Sequence, residues 1–440
     1  MLHFGSRHVI IVSSADAARE IMKTNDLIFC NKPRLTLIDR LLYQGKDVAS
    51  ASYGEYWRQI RSICVLQLLS TKRVQSYRGI REEELALLID NVKQSYMLSL
   101  PVNLSDLFSL LNNDVICRVA FGKKCSGGNE GAMKFKKLLR ELMELLSVFS
   151  VGDFIPWLSW INRFSGLDAR VERVSKELDT FLDTVVEEHM VNLSTDGDIC
   201  GEGGEDRQDF VDVLLEEHKN SIVSGSSIDR DGMKALILDM FAGGTDTTST
   251  VIEWAMTELV RHPRVMERLR NEVMGIASGK QDITESDLDK MPYLKAVIKE
   301  TLRLYPPLPL VFRESTQDAK IKGYDIAAKT MVIVSAWTIG RDPSLWDEPE
   351  EFQPDRFMNS CVDFKGQDFQ LIPFGAGRRG CPGILFAMTT TELVLANLVH
   401  RFEWSLPSGA RAEDMNMTES VGFVIHREVP LIAMAVPRSS

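Results

Sequence analysis

The stretch Pro373-Phe-Gly-Ala-Gly-Arg-Arg-Gly-Cys381-Pro-Gly383 decides how this chain is read. Glycines at 375, 377 and 380 precede a single cysteine, and Pro-Gly then opens an apolar run. Glycine-rich backbone lets N–H groups converge on one point. A cysteine placed there is expected to face several amide donors and the start of a helix, both of which favour the thiolate. The loop has no apolar periodicity that a packing cysteine would complete. It is not a phosphate-binding P-loop, because no Gly-Lys-Ser/Thr ending follows.

The rest of the composition isolates this cysteine. The 440 residues hold seven Cys, at 30, 64, 117, 125, 200, 361 and 381. No two form C-x-x-C, which excludes a zinc ribbon, a thioredoxin motif and a C-x-x-C-H haem attachment. The other six are expected to be reduced thiols. Hydrophobic residues make up 44%, the fraction of a packed core rather than of a disordered chain. The net charge of −11 argues against broad nucleic-acid binding.

No window approaches the roughly 20 apolar residues that cross a bilayer. The nearest, Ala235 to Val260, carries Asp239, Asp246, Glu253 and Glu258. The start shows no signal peptide. It opens instead on two short strand patterns, Leu2–Phe4 and His8–Val12, around Gly5-Ser6-Arg7. A chain that begins inside a sheet reads as a truncated form.

Helical periodicity dominates from Ser14 to about Val191. The acidic, glycine-rich run 195–208 reads as a surface loop. One helix is expected from Ile228 to Arg261, stopped by His262-Pro263. Gly243-Gly244 lies inside it, and each glycine costs about 1 kcal/mol there. That cost implies a kink or the close approach of something bulky. Further helices are expected at Pro292–Leu304 and Ile384–Arg401, with irregular chain from Arg341 to Gly383. Strands are expected at Ile321–Ile326, Thr330–Ser335, Val421–Ile425 and Val429–Val436. The fold class is mainly α, with a smaller β portion drawn from both ends of the chain.

Three more constellations carry chemistry. Gly243-Gly-Thr-Asp246-Thr247-Thr248 sets an acid beside a hydroxyl within a helix, where protons could be relayed. Glu300 and Arg303 share a helix face at i, i+3. Trp57 and Arg61 do so at i, i+4.

Phe374, Gly377, Arg379, Cys381 and Gly383 together fill the haem-binding signature of cytochromes P450, which this chain resembles along essentially its whole length. It is most similar to plant microsomal 71A-like members, from Asp47-Val-Ala-Ser and Tyr53-Gly-Glu-Tyr-Trp57-Arg. The resemblance implies one haem domain over residues 1–440, with the membrane anchor and Pro-rich hinge absent. Haem b would lie between the long central helix and the Cys381 loop, its iron held by the Cys381 thiolate. Trp57, Arg61, Arg313 and Arg379 would bind the haem propionates. Asp246 and Thr247 would guide protons to bound dioxygen. Glu300, Arg303 and Arg356, the last within Phe352-Gln-Pro-Asp-Arg-Phe357, would form a buried structural triad. The substrate pocket would draw on Phe241, Ala242, Gly243, Leu308, Val311 and Gly422.

The implied activity is monooxygenation of a small or medium apolar plant metabolite. O2 is the oxidant, and NADPH-cytochrome P450 reductase supplies the electrons. Arg58, Lys72, Arg73 and Arg78 would offer the reductase a basic patch. Two alternatives remain at this point: a haem-thiolate dehydratase or rearranging enzyme, for example on aldoximes, and a truncated haem binder with little activity. A full-length form would be tethered to the endoplasmic reticulum membrane on its cytosolic face, and this chain would associate with membranes weakly.

Overall fold

The computed structural model describes residues 2–124, 130–195, 208–224, 228–407 and 410–438. Most of them are helical. The expected helices Pro292–Leu304 and Ile384–Arg401 appear with those bounds. The first starts on a proline, whose missing N–H costs nothing at that position. The acid-rich loop lies from residue 196 to 207 outside the described residues, as do Cys125 and Cys200. Cys117 is disulfide-bonded, which corrects its expected place among the reduced thiols.

The β portion divides into separate sheets. The N-terminal hairpin, Leu2–Phe4 with Arg7–Val12, is the edge of a four-stranded sheet. Arg7–Val12 runs parallel to Met331–Ser335, with Val9 opposite Met331. Met331–Ser335 in turn pairs antiparallel with Leu310–Glu314. The C-terminal strand Ile432–Pro437 sits in a second sheet, between Val102–Asn103 and Phe402–Ser405. The strand expected over Ile321–Ile326 is instead a tight hairpin, Ala319–Ile321 with Tyr324–Ile326. Lys322 and Gly323 turn it with φ of +49° and +84°. Val421–Ile425 forms bends rather than a strand.

Two packed regions position the site. The larger joins most of the helices, including the fully buried Phe241, Ile252, Leu302 and Leu395. The smaller lies under the four-stranded sheet, where Val12, Val332 and Val334 meet Met22, Phe369 and Ala376. Ala376 belongs to the cysteine loop, so that loop is seated on the sheet's core.

The helices Leu167–Thr195 and Phe210–Ser224 are tied by a buried histidine. His189 Nδ1 lies 2.7 Å from the Val185 carbonyl and Nε2 lies 2.9 Å from Asp209 Oδ2. Both ring nitrogens face acceptors, so the imidazolium satisfies both. Burial opposes that charge, but Asp209 and the carbonyl outweigh it and raise the His189 pKa. A raised folded pKa gives stability that is full below the unfolded value and lost as pH rises through the folded one. The stability gap between wild type and His189→Gln is therefore expected to be largest below the ordinary histidine pKa of about 6.5 and to shrink as pH rises past the raised folded value. Denaturant midpoints across that range measure it.

Candidate active site

The cysteine loop is held by glycines that nothing else can replace. Gly375 and Gly377 have φ of +67° and +69°. A Cβ on Gly377 would stand 2.2 Å from the Met22 carbonyl oxygen. The amides of the loop, however, close its own turns. Gly375 donates to Ile372 O (3.0 Å), Gly380 to Gly377 O (3.0 Å) and Cys381 to Phe374 O (2.9 Å). Among the described residues, one amide donates to the sulfur, that of Gly383 at 3.3 Å. This corrects the expected convergence of several donors on the thiol. Burial pushes the Cys381 thiol up, and the Gly383 amide and Arg61 only offset that in part. A metal cation at the sulfur would supply the missing charge and remove the proton. Phe374 packs edge-on against Phe364, with centroids 5.5 Å apart, under this loop.

Three arginines surround the same loop, and their hydrogen bonds go to carbonyls. Arg61 donates to Gly380 O at 2.7 Å. Arg313 is 1% exposed and reaches Ala376 O at 3.3 Å. Arg379 donates to Cys30 O (2.7 Å), Ala51 O (2.6 Å) and Val48 O (3.3 Å). Burial pushes Arg313 and Arg379 down to about 10, and their mutual repulsion adds to the effect at Arg379. Lys32 is a fourth cation that sequence reasoning missed. Burial, then Arg313 and Arg379, hold it well below the ordinary lysine range. Clustered cations, Arg313 fully buried and Lys32, Arg61 and Arg379 half-buried, match a dianionic ligand, whose charges would offset their desolvation. The donor set therefore fits a haem with its two propionates beside a cysteine sulfur.

Trp57 has a different first partner from the one expected. Its indole N–H donates to Val48 O at 3.1 Å, and its ring carries the Arg379 guanidinium 4.1 Å from the centroid. It supports the clamp through Arg379 and the loop at Val48.

The expected single helix over 228–261 is two, Arg230–Gly244 and Asp246–Arg261, broken at Thr245. Side-chain hydroxyls take over carbonyls at the break. Thr247 Oγ1 donates to Gly243 O at 2.6 Å, and Ser249 Oγ to Thr245 O at 2.7 Å. Such back-bonding bends a helix. The two glycines differ in purpose. A Cβ on Gly244 would meet Ile116 Cδ1 at 2.8 Å, whereas one on Gly243 would meet nothing within 4 Å. Gly244→Ala is expected to cost about 1–3 kcal/mol by overpacking. Gly243→Ala is expected to hold or raise the melting midpoint, through about 1 kcal/mol of helix propensity, yet weaken ligand binding. Thermal melts with and without an azole ligand separate the two effects.

Asp246 lines a cavity of about 460 Å³. Burial raises its pKa, while His426 and Arg140, which face the same cavity, lower it. The expected pocket residues Phe241, Ala242 and Gly422 meet there. Gly243, Leu308 and Val311 do not line it, and Val311 is instead a strand residue opposite Val334. Neither Arg140 nor His426 carried a signal in the sequence, since each is one of several charges in a segment without a motif.

The triad assembles as expected. Glu300 and Arg303 are buried and joined by two parallel bonds of 2.7 Å. Arg356 Nε adds a third to Glu300 at 3.0 Å. Arg303 also reaches the carbonyls of Gly340, Pro349 and Glu351. The basic patch is less uniform. Arg58 and Lys72 are exposed, Arg73 reaches Gln208 O at 3.5 Å, and Arg78 pairs with Glu82 at 2.7 Å.

The cytochrome P450 family model matches residues 1–433. The chain is 55% identical to cytochrome P450 736A117 of Prunus mume, covering 99% of this chain and 83% of that protein. It is 49% identical to (+)-menthofuran synthase of Mentha piperita, covering 100% and 86%. A zebrafish cytochrome P450 solved with abiraterone superposes with a TM-score of 0.82 at 25% identity, covering 100% of this chain and 95% of that one. With the cysteine loop, the cation cluster and the broken helix already in place, the chain belongs to the cytochrome P450 family, enzymes whose haem iron is held by a cysteine thiolate.

Proposed function

We propose that this enzyme inserts one oxygen atom of O2 into a small or medium apolar plant metabolite, with electrons drawn from NADPH through a flavoprotein reductase. The observation that carries the reading is the break at Thr245. It sets a half-buried acid, Asp246, next to a hydroxyl, Thr247, that has left the helical pattern. Haem, when bound, supplies the iron chemistry that activates dioxygen. Cys381 is its iron ligand. Arg61, Arg313 and Arg379 hold its propionates, with Lys32 beside them and Trp57 bracing Arg379. Desolvation raises the Asp246 pKa above that of a free carboxyl, so it holds a proton to higher pH and can hand it on. Thr247 receives that proton, and its bond to Gly243 O fixes where the hydroxyl points.

The apolar substrate class is supported by Phe241 and Ala242 at the cavity and by the name of the menthofuran relative. Arg58 and Lys72 form the exposed part of the surface that meets the reductase. The chain works at the cytosolic face of the endoplasmic reticulum. No single described helix is long and apolar enough to cross a membrane. Phe149, Trp157, Trp160 and Phe164 nevertheless project from the surface, each more than half exposed, and suit the interfacial layer of a bilayer.

Aerobic turnover with reductase tests the proposal. Product is expected to require both O2 and NADPH, and turnover that continues without either overturns monooxygenation in favour of dehydration or rearrangement. Optical titration with plant terpenoids, phenolics and aldoximes then finds the substrate. Asp246→Asn and Thr247→Ala are each expected to lower product per NADPH by about 10- to 100-fold. Haem content should not move, because neither variant touches the cysteine loop.

A further inference from the structure

The peptide of Val48 joins two parts of the molecule that the sequence keeps far apart. Its N–H donates to Asp239 Oδ2 at 2.6 Å, on the Arg230–Gly244 helix. Its carbonyl accepts from Trp57 Nε1 and from Arg379 Nη1. One residue thus lies between the helix that leads to Gly243 and the clamp proposed for the propionates. We infer that Asp239 is a positioning residue, which ties the 47–51 loop to that helix and so fixes the wall of the cavity that Phe241 and Ala242 of the helix supply.

The surroundings support a built contact. Asp239 is held against the loop rather than in water. Burial, then the Asp47 carboxyl, raise its pKa well above the usual carboxylate range, and the amides of Val48 and Ala49 only partly oppose this. Asp47 is itself fully buried and folds the loop back, accepting the Ser50 amide at 2.6 Å. The next residue before it is tied to the start of the same helix. Lys46 Nζ lies 2.5 Å from Asp229 and 2.9 Å from Asp231. That outer tie is largely exposed, so it contributes little and is screened by salt. The Asp239 contact is half-buried, and losing the acceptor strands the Val48 amide it serves. Losing it should free the loop at Val48 and carry the disturbance to Ala51, whose carbonyl is held by Arg379.

The inference rests on the oxygenase reading only in placing substrate beside this helix, and its test needs no substrate. Hydrogen exchange is measured on the haem-loaded protein over residues 46–53. In wild type the Val48 amide is expected to exchange at least about tenfold more slowly than an open loop amide. A fast Val48 amide in wild type overturns the proposal, whatever any variant does. Asp239→Ala is expected to remove that protection, whereas Asp239→Asn, which keeps an acceptor oxygen, is expected to retain most of it.

Optical titration adds the functional readout, with imidazole as a small probe and clotrimazole as a bulky one. In Asp239→Ala, clotrimazole affinity should change by about five- to tenfold and imidazole affinity by less than about twofold. Equal changes for both azoles, or for neither, count against a wall-positioning role. Failure to find an apolar plant substrate would undermine the proposed function and leave these readings untouched.

Discussion

Replacing Cys381 by serine is expected to abolish the carbon monoxide difference band that marks thiolate ligation. Turnover should fall by at least about a thousandfold, roughly 4 kcal/mol in transition-state terms. The expectation follows from how little else the loop offers the iron. Among the described residues one amide faces the sulfur, and the other loop amides close turns. A serine there would keep the Gly383 contact but not the soft, electron-rich donor. The fold should survive, because the glycines and Ala376 that seat the loop are unchanged. Optical spectra and haem content of purified Cys381→Ser test both halves. A variant that loaded haem and kept the thiolate-type band would remove Cys381 from the iron.

Arg303→Ala is expected to be the most damaging substitution for stability, at about 3–5 kcal/mol. It leaves Glu300 buried with only Arg356 and the Gln353 amide. It also strips donors from the carbonyls of Gly340, Pro349 and Glu351. Arg303→Lys should recover little, since an ammonium cannot reproduce the fork that meets both Glu300 oxygens. Glycine at 340 is part of the same arrangement, because a Cβ there would stand 2.3 Å from the Arg303 carbonyl oxygen. The contrasting control is Arg268→Ala. Its pair with Asp355 is about half exposed on both sides and should contribute under about 1 kcal/mol. Denaturant unfolding of the haem-loaded variants gives the comparison. Equal losses at the two positions would contradict a special role for the buried triad.

What the sequence made legible depended on local punctuation. Pro292 and Pro306 bracket one helix, and Pro382-Gly383 opens another, so both were bounded correctly. The break at Thr245 was hidden, because apolar spacing runs through it without a change of period. The hydroxyls reveal it, Thr247 by bonding the Gly243 carbonyl and Ser249 by sharing the Thr245 carbonyl with its own amide. Gly323 was passed over inside a strand pattern, although its left-handed φ makes the turn of a hairpin. The strand Leu310–Glu314 was missed among flanking prolines at 306, 307 and 309.

The site divides in the same way. Cys381, Arg379 and the Glu300–Arg303 pair lie in dense local motifs and could be named from residue order. Lys32, Arg140, Asp239 and His426 lie outside any local motif. What distinguishes them is the neighbours that distant chain segments create.

The second sheet has a consequence for how the protein is made. Its middle strand, Ile432–Pro437, is synthesised after both its neighbours, Val102–Asn103 and Phe402–Ser405. Until it arrives, Val102 has no partner across the ladder and the place filled by Ala433 and Ala435 stays open. The nascent enzyme therefore completes this sheet only once Ile432–Pro437 has emerged. During that wait its unpaired edges are exposed to chaperones, proteases and other chains.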